Sequence, residues 1–302
     1  MTLCELCPRR CRVDRSRTKG RCGVGEELRV ARAALHAWEE PCLSGERGSG
    51  TIFFAGCPLG CVYCQNRKIS RGEAGSVLTV RQLAEEMLRL QAQGAHNINL
   101  VTPTHYVPGI IGALEEARRL GMTLPVVYNT SGYERVETLR RLEGLVDIWL
   151  PDCKYASGEL ARRYSGAEDY PQVAMAALEE MVRQQPRPVF DEEGMMTKGV
   201  IVRLLLLPGC LEDAKEVVRR VVELCGDRVY LSLMNQYTPM PGLEKWPELQ
   251  RKVTGEEYEQ LVDFALELGV TQGFIQEGET AQESFIPDFS QMEQERPHGG
   301  KT

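Results

Sequence analysis

The sequence predicts an α/β fold built on a parallel sheet with both faces covered, and three observations predict it. Six short runs rich in apolar and β-branched residues recur along the chain, at 51–55, 97–101, 125–128, 146–150, 201–206 and 229–233. Helical patterns separate successive runs, which is the alternation that a parallel sheet with crossover helices requires. The 302 residues are 42% apolar, with no shift in composition that would divide them into two comparable cores.

Each element follows from local signals. The run 51–55 (T-I-F-F-A) reads as a buried strand. Thr79 with Gln82 forms a capping box ahead of Leu83, Met87 and Leu90, and Gly94 stops the helix. Then come strand 97–101, a helix over 109–120 closed by Gly121, strand 125–128, helix 134–142, strand 146–150 and helical stretches within 159–184. Strand 201–206, helix 212–225 and strand 229–233 follow, then a helix whose capping box is Thr254 with Glu257, and a strand-like piece at 273–276. Residues 287–302, rich in Gln, Glu and Gly, are expected to be disordered. The domain expectation is a Cys-rich extension over 1–45, a core over 46–286 and this tail.

The net charge of −7 disfavours a general nucleic-acid binder without excluding RNA as a partner. Charge is uneven: residues 1–37 carry +5 and the remainder −12. A basic arm can meet an acidic partner or lie on its own acidic body. The apolar run 200–207 is interrupted by Arg203 and ended by Pro208, so no membrane span is expected. Eleven cysteines with no export signal read at Met1 suggest reduced thiols and metal ligation in the cytoplasm.

Chemistry concentrates at Cys57, Cys61 and Cys64, spaced C-x3-C-x2-C in one tight loop after the first of the six strands. Three thiolates suit a soft metal centre. A closed zinc site wants a fourth ligand, whereas three ligands on a four-iron cluster leave one iron open for a substrate or cofactor. Cys4, Cys7, Cys11 and Cys22, spaced C-x2-C-x3-C-x10-C, suffice to close a second site holding zinc or another cluster, or are unrelated reduced thiols. Arg203, inside an apolar strand, must be paired with a carboxylate or a ligand. Asp152 and Lys154, two apart on an extended segment, face the same side.

The C-x3-C-x2-C motif with Tyr63 before its last cysteine resembles the signature of the radical S-adenosylmethionine (SAM) enzymes. Within that superfamily the chain, from Cys4 to about residue 277, resembles the pyruvate formate-lyase activating enzyme-like (PflX-type) iron–sulfur proteins. The resemblance implies a partial (β/α)6 barrel with the cluster loop after its first strand, a 4Fe-4S cluster on Cys57, Cys61 and Cys64, and SAM as cofactor. It also implies reductive cleavage of SAM to a 5′-deoxyadenosyl radical that abstracts a hydrogen, and an electron donor such as flavodoxin or ferredoxin.

Further site residues follow from the ends of the strands, where such barrels place their chemistry. Thr102 and Thr104 stand where many radical SAM proteins carry a Gly-Gly-Glu holding the methionine amino group. His105 beside them is a candidate proton-transfer group or a structural hydrogen-bonding residue. Asn129, within Y-N-T-S-G, resembles the family's turn near the SAM methionine, with Asn in place of the usual acid. Asp152 and Lys154 resemble the Asp-x-Lys of the activating enzymes and are expected at the zwitterionic end of SAM. Arg203 is expected at SAM or at a carboxylate, and Gln236 is placed near the adenosyl part by position. The substrate is open: a glycyl radical enzyme awaiting activation, another protein or RNA, or a small molecule. The reading from a different class is a non-catalytic iron–sulfur electron carrier or zinc-binding protein.

Overall fold

The computed structural model describes residues 3–275. In chain order its elements are β1 (Leu28–His36), α1 (Pro41–Ser44), β2 (Ser49–Phe54), α2 (Arg67–Ser70), β3 (Ser76–Leu78), α3 (Val80–Ala92), β4 (Ile98–Val101), α4 (Val107–Arg119), β5 (Val126–Thr130) and α5 (Val136–Arg140). They continue with β6 (Ile148–Pro151), α6 (Gly158–Ser165), α7 (Tyr170–Gln184), β7 (Val189–Phe190), β8 (Met196–Leu205), α8 (Leu211–Cys225), β9 (Tyr230–Met234), α9 (Gly255–Glu267) and β10 (Gly273–Ile275). No helix among the described residues is long and apolar enough to cross a membrane.

The six expected strands are β2, β4, β5, β6, β8 and β9, and they pair in parallel in that order. β10 adds a further parallel strand beside β9. The path runs β10-β9-β8-β6-β5-β4-β2-β1-β3 and does not close on itself, so the barrel is partial. Both capping boxes form as the spacing requires, at Thr79–Gln82 and Thr254–Glu257.

Sequence reasoning missed β1, which lies within the expected extension of residues 1–45 and pairs antiparallel with β2. Its L-R-V-A-R-A-A-L-H has three alanines and no clean alternation, so nothing local marks it; pairing along β2 supplies the order. The helix expected over 134–142 shortens to α5. Residue 276 of the expected last strand and the whole tail 287–302 lie outside the described residues.

The pleat sorts side chains onto two faces. Outward, Ile52, Leu100, Val126, Tyr128, Trp149, Val202 and Leu231 pack on α3, α4, α7, α8 and α9 in the main core. Inward, Val127, Ile148, Leu150 and Ile201 close over Cys42 and Leu43 of α1, which plugs the N-terminal end of the barrel. One pleat step further along β5, β6 and β8 the inward residues turn polar: Asn129, then Asp152 just beyond β6, then Arg203. The site is therefore set by strand register above an apolar floor.

Candidate active site

The loop Cys57–Cys64 leaves the end of β2 through Gly56 at φ +89°, where a Cβ would lie 2.8 Å from the Cys22 carbonyl oxygen. Backbone bonds hold it on three sides. Gly56 N–H donates to Ile69 O (2.7 Å), Cys57 N–H to Cys22 O (3.1 Å) and Val62 N–H to Tyr164 O (2.8 Å). Arg9 reaches in from the N-terminal arm and donates to Pro58 O (2.9 Å), Leu59 O (3.2 Å) and Ser165 O (2.8 Å). Cys57, Cys61 and Cys64 are half-buried and free. Burial pushes the Cys57 thiol up to about 12, with Cys61 and Cys64 adding to the rise, so the three sulfurs lie within reach of one another. A buried polar chain backs them: the Tyr63 and Tyr155 hydroxyls are 2.8 Å apart, Tyr155 meets Ser165 at 2.8 Å, and Ser165 Oγ donates to Cys61 Sγ at 3.1 Å.

A charged network rises toward these thiols from inside the barrel. Arg203 donates through Nε to Asp152 Oδ1 (3.1 Å), through Nη1 to Glu39 Oε2 (3.2 Å) and through Nη2 to Asn129 Oδ1 (2.5 Å). Lys154 Nζ donates to Asp152 Oδ2 (2.7 Å), and Asn99 Nδ2 to Glu39 Oε1 (3.0 Å). Burial opposes ionisation of Asp152, yet Lys154 and Arg203 hold its carboxyl below the usual range. Burial also works against the Lys154 ammonium, but Asp152 and then the Cys61 thiol keep it above its ordinary value. Lys154 thus links the charged network to the thiols. Burial raises the carboxyls of Glu39 and Glu40 against the pull of Arg203. Gly132, at φ +75°, lets the β5 turn approach β6, since a Cβ there would sit 2.3 Å from Asp152 O. The Tyr170 hydroxyl pins the same turns, lying 2.7 Å from Ser131 O and 2.9 Å from Asp152 O and accepting the Lys154 N–H at 3.0 Å.

The structure brings together four of the residues expected to contact a cofactor: Asn129, Asp152, Lys154 and Arg203. Gln236 lines a cleft of about 490 Å³ with Arg203, Glu39, Glu40, Ser232 and Met234. Thr102 stands beside Asn129, its N–H donating to Asn129 O (2.9 Å), with φ +57°, an uncommon conformation for a β-branched residue and one that clusters at ligand sites. Thr104 and His105 are placed elsewhere. The 3-10 turn Thr104–Tyr106 points Thr104 into the wall, where its hydroxyl donates to Glu134 Oε1 (2.5 Å). His105 is 2% exposed with Nε2 2.9 Å from Ala55 O, and burial drops its pKa to about 3. A neutral imidazole aimed at a backbone carbonyl is the structural alternative, not the proton-transfer one. Sequence reasoning missed Glu39, Asn99, Ser165 and Tyr170. Only Asn99, a polar residue inside an apolar strand, carried a local signal.

Soft thiolates with no carboxylate or imidazole among them match the donor set of an iron–sulfur cluster. Among the described residues no three His, Cys, Asp or Glu form a group that could hold a metal ion. Lys154 lies within electrostatic reach of Cys61 and Cys64 and offsets part of a thiolate's charge there. By donor chemistry the three loop cysteines suit such a cluster.

Residues 51–196 match the Radical SAM superfamily. An uncharacterized protein of Methanocaldococcus jannaschii is 29% identical over 270 residues, covering 87% of this chain and 74% of that protein. Among solved structures, a radical SAM methyltransferase from Sphaerobacter thermophilus superposes with TM-score 0.53 at 16% identity, over 75% of this chain and 66% of that one. Streptococcus suis SuiB bound to the precursor peptide SuiA gives TM-score 0.50 at 15% identity, over 74% of this chain and 46% of that one. At these identities the two structures share the fold.

Proposed function

We propose, on the match of residues 51–196 to the Radical SAM superfamily, that this chain reductively cleaves SAM at a 4Fe-4S cluster held by Cys57, Cys61 and Cys64. The observation that carries the reading is that Lys154, bonded to Asp152 and through it to Arg203, lies within electrostatic reach of Cys61 and Cys64. A cluster held by Cys57, Cys61 and Cys64 would supply the electron for reductive cleavage of SAM to a 5′-deoxyadenosyl radical able to abstract a hydrogen.

The chain's own residues position and exclude. Asp152 and Lys154 present opposite charges side by side, a complement for the zwitterionic end of SAM. Arg203 fixes Asp152 and Asn129 from below, and Glu39 balances its charge. Thr102 adds a hydroxyl beside Asn129, and Gln236 lines the cleft where the adenosyl part is proposed to lie. The tyrosine-rich wall of Tyr63, Tyr133, Tyr155, Tyr164 and Tyr170 keeps water from the loop's far side. The electron is proposed to come from a flavodoxin- or ferredoxin-like donor in the cytoplasm. The finer reading, an activase of a glycyl radical enzyme, rests on the sequence resemblance alone.

Anaerobic reconstitution with iron and sulfide, then reduction in the presence of SAM, tests the proposal. The expected result is a brown protein that forms 5′-deoxyadenosine, a product lost when Cys57, Cys61 or Cys64 is replaced by Ala. A colourless, zinc-only protein would remove the enzyme reading and leave the zinc-binding alternative.

A further inference from the structure

The N-terminal thiols are not used by the site above, yet the fold gathers them against it. Residues 4–13 form a small antiparallel turn, with Cys4 N–H donating to Val13 O (2.9 Å), Arg12 N–H to Cys4 O (2.9 Å) and Arg10 N–H to Cys7 O (3.0 Å). Arg10 and Arg12, on either side of Cys11, have φ of +40° and +51°. Both are left-handed conformations that ordinarily favour glycine, so the backbone is strained on either side of Cys11. Its sulfur accepts the Arg21 N–H at 3.2 Å. Gly23 N–H donates to Gly20 O (3.0 Å), folding Cys22 back. A Cβ on Gly20 would then lie 3.5 Å from Cys22 Sγ and 3.7 Å from Cys11 Sγ. Cys7 and Cys22 are buried and within electrostatic reach of each other and of Cys11, and Cys4 is within reach of Cys22. All four are free.

Resting on the radical SAM reading of the loop, we infer that Cys4, Cys7, Cys11 and Cys22 hold a second iron–sulfur cluster, closed by protein on all four positions, that relays electrons to the loop cluster. The donor set is four soft thiolates, which admits zinc or a cluster. Position selects the cluster, because these thiols lie against the three-thiol loop, where a redox-inert zinc ion would carry no electron. Four protein ligands leave no position for SAM, so the centre's chemistry is confined to electron transfer. Its place suits that role. The Cys22 carbonyl accepts the Cys57 N–H at 3.1 Å, so one hydrogen bond joins a ligand of each centre. Arg9, between Cys7 and Cys11, grips the loop carbonyls of Pro58 and Leu59. Around the outer face, Arg17, Lys19 and Arg29 line a surface cleft together with Glu26 and Glu27. The step balances as one electron in from a reduced flavin or iron–sulfur protein and one electron out to the loop cluster, with no bond made or broken.

Two variants of the full chain, reconstituted anaerobically, test this: the loop triple C57A/C61A/C64A and the arm double C7S/C22S. Metal analysis should find half the parent's iron and sulfide in each. Electron paramagnetic resonance of the reduced proteins should show a signal indifferent to SAM in the loop triple and a SAM-sensitive one in the arm double. An iron-free loop triple beside an arm double that keeps all the parent's iron overturns the inference, as does zinc in the loop triple where iron is expected. A loop triple that keeps all the iron while the arm double keeps none supports the second cluster and instead sinks the SAM-cleaving role of the loop. Should the arm double fail to fold, the loop triple alone decides.

Discussion

Replacing Arg203 with Met removes the cation on which the barrel's charged network is built. The Arg203 side chain is 15% exposed, Asp152 16% and Glu39 8%, so all three are largely out of water. Met conserves much of the volume but leaves Glu39 with Asn99 alone and Asp152 with Lys154 alone. Removing one partner of a buried pair costs about 3–5 kcal/mol, because the remaining charge stays buried without compensation. At about 2–4 °C per kcal/mol for a chain of this size class, the melting temperature should drop by roughly 6–20 °C. The loss should depend on pH. Burial already holds the Glu39 carboxyl above its unfolded value, and loss of Arg203 raises it further. An acid whose folded pKa is raised costs stability above its unfolded pKa, and the cost grows until pH passes the folded value. The deficit should therefore be larger at pH 8 than at pH 6. Asp152 has the opposite sign: its carboxyl is depressed, and the stability it contributes is lost only when acid protonates it below the usual carboxylate range, so it adds nothing to the change between pH 6 and 8. Urea unfolding of parent and variant at both pH values measures this. A deficit under about 1 kcal/mol, or one equal at the two pH values, would refute the placement of a charged, buried Glu39–Arg203–Asp152 chain.

Ser165→Ala removes the hydroxyl that donates to Cys61 Sγ, a bond that favours the more negative, reduced cluster. The midpoint of the proposed loop cluster should move to more negative potential by roughly tens of millivolts, where 59 mV is tenfold for one electron; an unmoved midpoint in a potentiometric titration rules that tuning out. Glu134 is buried with its pKa raised to about 7, so from this group the parent's stability should fall by about 3 kcal/mol as pH rises from about 4.5 to 7. Glu134→Gln, which keeps an acceptor for Thr104 and Thr130, should flatten that slope in unfolding measured across the same range. Gly132→Ala forces φ +75° on a residue whose Cβ would sit 2.3 Å from Asp152 O. It should cost about 2 kcal/mol or more and weaken SAM binding by shifting Asp152; a variant with the parent's stability and affinity contradicts the close approach of the two turns.

Much of the fold was legible because its signals are local. Strands buried on both faces read as continuous apolar runs, and the two capping boxes need only residues three apart. The loop cysteines offer a soft donor set within eight residues, which is why a metal centre was expected there. Asp152 and Lys154 share a face by the period of an extended chain, and they meet at 2.7 Å as that period requires. What stayed hidden is non-local. A cation inside an apolar strand had to be paired, and a carboxylate was foreseen, but Glu39 lies 164 positions from Arg203 in a segment with no pattern, and only the folding of β1 onto β2 carries it into the barrel. The Asp152–Arg203 contact was decided by the register of β6 against β8, which sets the two residues side by side. Thr104 and His105 directly follow a strand end, as pocket residues do, yet a single 3-10 turn rotates their side chains into the wall toward Glu134 and Ala55. Residue type and spacing determine which chemistry the chain can support, because ligand softness, charge and side-chain period are properties of neighbours in sequence. Which groups face one another was left to strand register and turn geometry, because a shift of one residue in either reverses the face that a side chain presents.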